Sequence, residues 1–342
     1  MISFSFSNRK NIKKLMKFLG SHWQKNYILS KNLKLFNWQH CLNKKKEYNF
    51  VIAKLNSKIV GCLGFINHSN FSSKLKKNDT LWLVNWLVTK KSSVSGLEFI
   101  SFLSKKLNFS RIGTVGGNNR TQAILDKLGF EVGMLNHYFV VNPRINNFQI
   151  AKIKALNKKK IGHTSKISPK KILCLKGKLN LKIFGKKLNS LIRKFGKDET
   201  FFRNRYELHP YYNYKIYLIF STNNVDGFFV TRICKFKEKK ALRIIDFFGH
   251  EKALIGIKEP LEKLIININA EYVDFYEYGI KKNIMFKTGL SKNKFNKKII
   301  IPNHFEPYER KNIILSWASR SRNSFMKHIF KGDCDQDRPS II

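Results

Sequence analysis

Two aspartates stand inside stretches that otherwise read as apolar β-strands, Asp246 in RIIDFFG and Asp274 in YVDFYEYG. A carboxylate among such neighbours must be paired, neutralised or used as an acid or base. Arg243 precedes Asp246 by three positions, so an extended chain sends it to the opposite face and it cannot serve as a simple local partner. Asp274 alternates with Tyr276 and Tyr278 on one face. A second group, FFRNRYELHPYYNY, gathers Arg203, Arg205, His209 and Tyr211 with Tyr212 and Tyr214. Aromatic faces stack on sugars or bases, and guanidinium forks pair with phosphates. The mixture suits a nucleotide- or lipid-linked sugar, a single-stranded nucleic acid, or simply a turn broken at Pro210. With Asp246 and Asp274, Arg203, Arg205, His209 and Tyr211 are the candidate substrate-binding residues.

The C-terminal KGDCDQDRPS places Asp333, Asp335 and Asp337 at alternating positions. A calcium-hand loop needs a glycine at its sixth position and a glutamate at its twelfth, and neither is present. A substrate-contacting or interdomain tail tied by Arg338 is the expectation. Cys41, Cys62, Cys174, Cys234 and Cys334 are scattered, form no Cys-x-x-Cys pair and have no histidine spaced to complete a metal site. Reduced structural thiols and no metal are expected.

The elements that must position these groups are bounded by bulk properties. A chain of 342 residues exceeds one typical domain, and 43% apolar content suffices for packed cores. Apolar runs such as LWLVNWLV are far shorter than a membrane helix, and the N-terminus lacks the order of a signal peptide. No membrane span and a cytoplasmic location are expected. The net charge of +44 could mark a nucleic-acid partner. Its lysines, however, are spread along the chain beside abundant Asn, Ile and Phe, as an A+T-rich coding sequence would produce. We therefore read it as compositional.

Residues 1–141 alternate helical and strand patterns. Ile12, Leu15, Met16 and Leu19 lie at helical spacing, and FVIAKLNSKIVGCLGFI reads as a hairpin turning at Asn56-Ser57. TLWLVNWLV is a buried strand. GLEFISFLSKKL is a helix with Leu97, Ile100, Leu103 and Leu107 inward, and RIGTV is a strand. GGNNRTQAILDKLGF is a capped helix, and EVGMLNHYFVV a closing hairpin. Asn142-Pro143 ends the unit. The predicted organisation is 1–142, a lysine-rich linker at 143–182, and 183–342, in which strand, strand, strand, helix, strand, helix, strand recurs. The fold class is α/β with an α+β mixed sheet, arranged as two tandem domains.

Residues 10–141, and 81–130 most of all, resemble the GNAT superfamily of acyl-CoA-dependent N-acyltransferases. The resemblance rests on LWLVNWLV, on KSSVSG, and on Asn118 followed by Gly129-Phe130. It implies that backbone groups of Leu87 and Val88 hold the pantetheine arm. It also implies that Lys91, Ser92, Ser93, Val94, Ser95, Gly96 and Leu97 form the pyrophosphate loop at a helix N-terminus, with Asn118 facing the cofactor. Val94 stands where the pattern has glycine, and Leu125 where many relatives carry the tyrosine that protonates the leaving thiolate. Asn85 stands where relatives often place a carboxylate. Tyr138 is then the candidate relocated acid, His22 a candidate base and Asn85 a water-orienting residue. The second half resembles tandem GNAT-like proteins found with surface-polysaccharide biosynthesis. The expected activity is transfer from acetyl-CoA or another acyl-CoA to an amino sugar, nucleotide- or lipid-linked. Aminoacyl transfer from charged tRNA and a catalytically degenerate scaffold are the alternatives.

Overall fold

In the computed structural model, residues 1–24, 26–41, 47–90, 92, 94–153, 170–322 and 328–340 are described. The N-terminal half supplies β1 (Ile2–Asn8), α1 (Ile12–His22), α2 (Ile28–Lys31), α3 (Leu33–His40), β2 (Glu47–Leu55) and β3 (Lys58–Asn67). Then follow β4 (Thr80–Val88), α4 (Gly96–Lys106), β5 (Arg111–Val115), α5 (Asn119–Lys127), β6 (Glu131–Met134) and β7 (Asn136–Val141). After the lysine-rich stretch come β8 (Lys171–Cys174), α6 (Leu188–Phe195), α7 (Glu199–Phe202), β9 (Tyr214–Ser221), β10 (Asn224–Phe236) and β11 (Lys239–Gly249). The chain continues through α8 (Lys258–Asn267), β12 (Ala270–Tyr278), α9 (Lys282–Lys287) and β13 (Ser291–Lys292). A small ladder of β14 (His304–Phe305) and β15 (Tyr308–Glu309), then β16 (Ser316–Ser321) and β17 (Ile329–Phe330), complete it.

The β2–β3 turn is the hairpin its sequence predicts. Asn56 and Ser57 both adopt positive φ, the geometry that matches the twist of the flanking strands. In α4 the helical reading needs one correction. Leu97 is exposed, and Phe99 joins Ile100 and Leu103 in the core instead.

The strands form two sheets of the same order. The first runs β1-β2-β3-β4-β5-β16-β6 and the second β8-β9-β10-β11-β12-β7-β13, with β17 added to β12. Each contains one parallel pair, β4 with β5 and β11 with β12. The sixth strand of each sheet comes from the other half of the chain. β16 pairs with β5 and β6, whereas β7 pairs with β12 and β13. The expected hairpin of EVGMLNHYFVV is therefore corrected, because 131–134 and 136–141 belong to different sheets. The exchange fuses the halves. Residues from both, among them Trp82, Leu135, Tyr138, Phe247 and Trp317, share the largest apolar core.

Candidate functional site

In both sheets the parallel pair separates as it leaves its ladder. β4 and β5 pair only from Thr80↔Arg111 to Trp82↔Gly113. Beyond that point Asn85, with φ 49°, carries a bulge opposite β3 that bends β4 outward. Its Nδ2 donates to the Tyr27 hydroxyl at 2.5 Å, and its Oδ1 has no hydrogen-bond partner among the described residues. β11 and β12 pair from Lys240↔Ala270 to Ile244↔Phe275 and then part likewise.

Both openings are threaded by the C-terminal segment 328–338. In the second, Phe330 and Ile329 pair with Glu277 and Tyr278 of β12. The strap then crosses to the first, where the Cys334 thiol reaches the Leu83 carbonyl at 3.6 Å and the Gln336 amide donates to the Val115 carbonyl at 3.0 Å. Arg338 lies 4.7 Å from the Tyr27 ring centre. The strap's carboxylates are spent on buried cations. Asp333 takes Lys197 at 2.7 Å, Asp337 takes Arg232 at 2.7 Å, and Arg205 donates to the carbonyls of Gly332 and Cys334. The segment expected to be a substrate-contacting or interdomain tail thus makes contacts with both halves.

The open space lies between the halves, at the carboxyl ends of β11 and β12. This cleft holds about 1350 Å³. Its floor from the second half includes Lys194, Gly196, His250, Glu251 and Gly279. The facing wall comes from His68, Asp79, Thr80 and Ser110. His328 Nε2 and Lys194 Nζ each lie 3.0 Å from Glu251 Oε1. Those contacts, His328 first, hold the Glu251 carboxyl down at about 2. Burial lowers the His328 imidazole, with Glu251 opposing and Lys194 and Arg111 adding to the effect, so the ring is neutral at neutral pH. His328 Nδ1 and Thr80 Oγ1, both buried, have no hydrogen-bond partner among the described residues. His68 differs, since it bonds the Gly196 carbonyl and accepts from Trp82 Nε1, and burial lowers its pKa to about 3. Around the mouth, Lys74, Lys76, Lys187, Lys252 and Lys281 form no ion pair among the described residues.

The sequence-derived candidates fall mostly elsewhere. Tyr138 is carried by β7 into the second sheet, buried in the shared core. Desolvation, with Glu277 nearby, pushes its phenol up to about 12. His22 is exposed at the end of α1, its ring against Phe18. Leu87 and Val88 end β4 half-buried, and Ser92 is likewise half-buried, while Lys91 and Ser93 lie outside the described residues. Val94 packs into the first half's apolar core, and the Trp86 ring lies against Gly96. Ser95 caps α4 reciprocally with Glu98, whose carboxylate accepts from Ser95 N at 2.7 Å, so the positive helix end already faces an anion. Exposed Asn118 caps α5 by accepting from Thr121 N.

The basic–aromatic group is largely internal. Arg205 is buried against Trp38 and Phe71, and His209 Nδ1 accepts from the Tyr211 and Tyr212 amides. Tyr211 is exposed and bonded to Asn32, and Arg203 is exposed. Asp246 receives Lys197 at 2.8 Å and the Tyr206 hydroxyl at 2.6 Å. Asp274 receives Arg243 at 2.8 Å and His137 at 3.1 Å, and Arg243 holds it near 2 against the opposing effect of burial. None of these candidates lines the cleft. Its own groups were missed because Glu251 and His328 stand far apart in sequence, with no motif spacing to join them.

No protein-family model and no curated protein matches the sequence. Solved structures do match in shape. A GCN5-related N-acetyltransferase from Anabaena variabilis ATCC 29413 superposes with a TM-score of 0.54 at 12% identity, over 94% of this chain and 73% of its own. One from Kribbella flavida gives 0.52 at 9% identity, over 94% and 71%. The chain therefore has the fold of the GCN5-related N-acetyltransferases, built as two tandem domains with exchanged strands.

Proposed function

We propose that this protein is an acyl-CoA-dependent N-acyltransferase whose donor and acceptor meet in the cleft between its halves. The observation that carries this reading is the cleft's place at the carboxyl ends of β11 and β12, the one parallel pair of its sheet. Ligands of such sheets gather where parallel strands end and the connections diverge. The space exceeds an ordinary small-ligand pocket of roughly 300–1,000 Å³, in keeping with two substrates. Lysines that line it without carboxylate partners among the described residues suit the phosphates of coenzyme A. The acceptor we propose is an amino sugar, linked to a nucleotide or lipid phosphate, of a surface-polysaccharide pathway. Catalysis belongs to the second half in this reading. The strap threads both splayed openings, so the second half is favoured by the cleft at the ends of β11 and β12, and the first half serves as a scaffold.

Thermal-shift titration of the full chain with acetyl-CoA and longer acyl-CoAs tests the proposal. A saturable rise in melting temperature is expected. No stabilisation by any acyl-CoA would refute it.

A further inference from the structure

One residue of the cleft lining, His328, is held by four neighbours. His328 is fixed through Nε2 to Glu251, its carbonyl accepts from Arg111 Nη2 at 3.1 Å, and its ring packs on Phe195 at 5.4 Å and on Phe330. Glu251 is anchored in turn by Lys194 and by the Lys281 backbone N–H at 3.3 Å. With Glu251 accepting the Nε2 proton, Nδ1 keeps its lone pair, shielded from bulk water and without a donor among the described residues. Thr80, opposite Arg111 in the β4–β5 ladder, brings to the same cleft a buried hydroxyl oxygen that also has no partner among the described residues. Two buried acceptor atoms without donors among the described residues, on two residues that line one cleft, suit a ligand group rich in N–H bonds, such as an amine.

We infer that His328 is the base that takes the acceptor amine's proton in this cleft, positioned by Glu251, with Thr80 accepting a further N–H. The inference rests on the acyl-transfer reading above. The ammonium gives one proton to His328 Nδ1, and the freed nitrogen lone pair bonds to the thioester carbonyl carbon. As the carbon–sulfur bond breaks, the second proton passes from nitrogen to the departing thiolate, and His328 returns its proton to solvent. The device joins the strap to β11 of the second half, so an intact C-terminal segment is a condition of activity. The charged groups facing His328 are Glu251, Lys194 and Arg111, and burial dominates its titration.

The test is thiol release from acetyl-CoA by the full chain, with glucosamine, glucosamine 1-phosphate and UDP-glucosamine as acceptors, followed across pH. Acetyl-CoA binding and melting temperature are measured alongside. The wild type is expected to lose kcat/KM on acidification as Nδ1 is protonated, with the limb displaced below the ordinary imidazole value of 6.5 because burial lowers the His328 pKa. His328→Gln should lower kcat about 100-fold or more, the scale of a general base, with acetyl-CoA affinity and melting temperature kept. Glu251→Gln should lower kcat less and move the acidic limb. If His328→Gln binds acetyl-CoA and turns over at the wild-type rate, the inference is overturned and the acyl-transfer reading stands. If Thr80→Val alone abolishes turnover while His328→Gln does not, the proton takes another route and the inference again fails. If the wild type binds acetyl-CoA but releases no thiol with any of these amines, the amino-sugar acceptor is overturned, and His328's role with it. If it does not bind acetyl-CoA, the acyl-transfer reading itself falls.

Discussion

Leu125 stands where the resemblance would place a thiolate-protonating tyrosine, and its surroundings explain the leucine. It is fully buried in the first half's core, in one apolar cluster with Phe99, Ile112 and Phe130. Leu125→Tyr would force a phenol into this packing and should cost about 1–3 kcal/mol in urea unfolding without raising the rate of acyl transfer. At the strap, Lys197 is held between Asp246 and Asp333 with almost no exposure. Removing one carboxylate leaves the ammonium under-compensated, so Asp333→Asn should destabilise by about 3–5 kcal/mol in the same measurement. His68 gives a pH signature. Its folded pKa of about 3 lies below the ordinary value of 6.5, so the unfolded chain binds the extra proton between those values. Stability is fully present above about 6.5 and falls as pH drops toward 3. Denaturation midpoints across that window check the direction, and a stability that rises on acidification would contradict it.

Strands and helices were legible in sequence because each is a local pattern: β4 as a continuous apolar run, α4 by its apolar spacing, the β2–β3 turn by Asn56-Ser57. The exchange of β7 and β16 was not. EVGM and NHYFVV are contiguous, and nothing local distinguishes a hairpin from two strands that leave for different sheets. The strap's anchors were hidden for a related reason. The alternating aspartates read as a substrate-contacting or interdomain tail tied by Arg338, and the cations that hold Asp333 and Asp337, Lys197 and Arg232, are remote in sequence. Asp246 and Asp274 read correctly as carboxylates needing partners, but cross-strand and interhalf pairing supplied partners that spacing could not reveal. The strap's close fit makes its own prediction. A methyl at Gly332 would meet the Tyr206 hydroxyl at 2.5 Å and Ile245 Cγ2 at 2.7 Å. Gly332→Ala should therefore lower the melting temperature, by about 1–3 kcal/mol of overpacking, and reduce turnover as His328 shifts with the strap.

At the scale of the molecule, the fold was expected from the resemblance, and the cleft between the halves was not. The candidates came from motif positions of the first half and from the basic–aromatic group and strand aspartates of the second, while the cleft is lined by residues of both halves. The net charge of +44 remains a property of the whole surface and not of one element. Any tRNA binding should accordingly be salt-labile and should vanish near physiological ionic strength, as filter binding across a salt series would show. Binding that survived there would favour the aminoacyl-tRNA alternative.

The central claim is that acyl-CoA occupies the cleft between the halves. Isothermal titration of acetyl-CoA into the full chain and into a Lys252→Glu, Lys281→Glu variant at the cleft mouth tests it most directly. The account predicts saturable binding by the wild type and at least about tenfold weaker binding by the variant at equal stability. Unchanged affinity in the variant would contradict the claim.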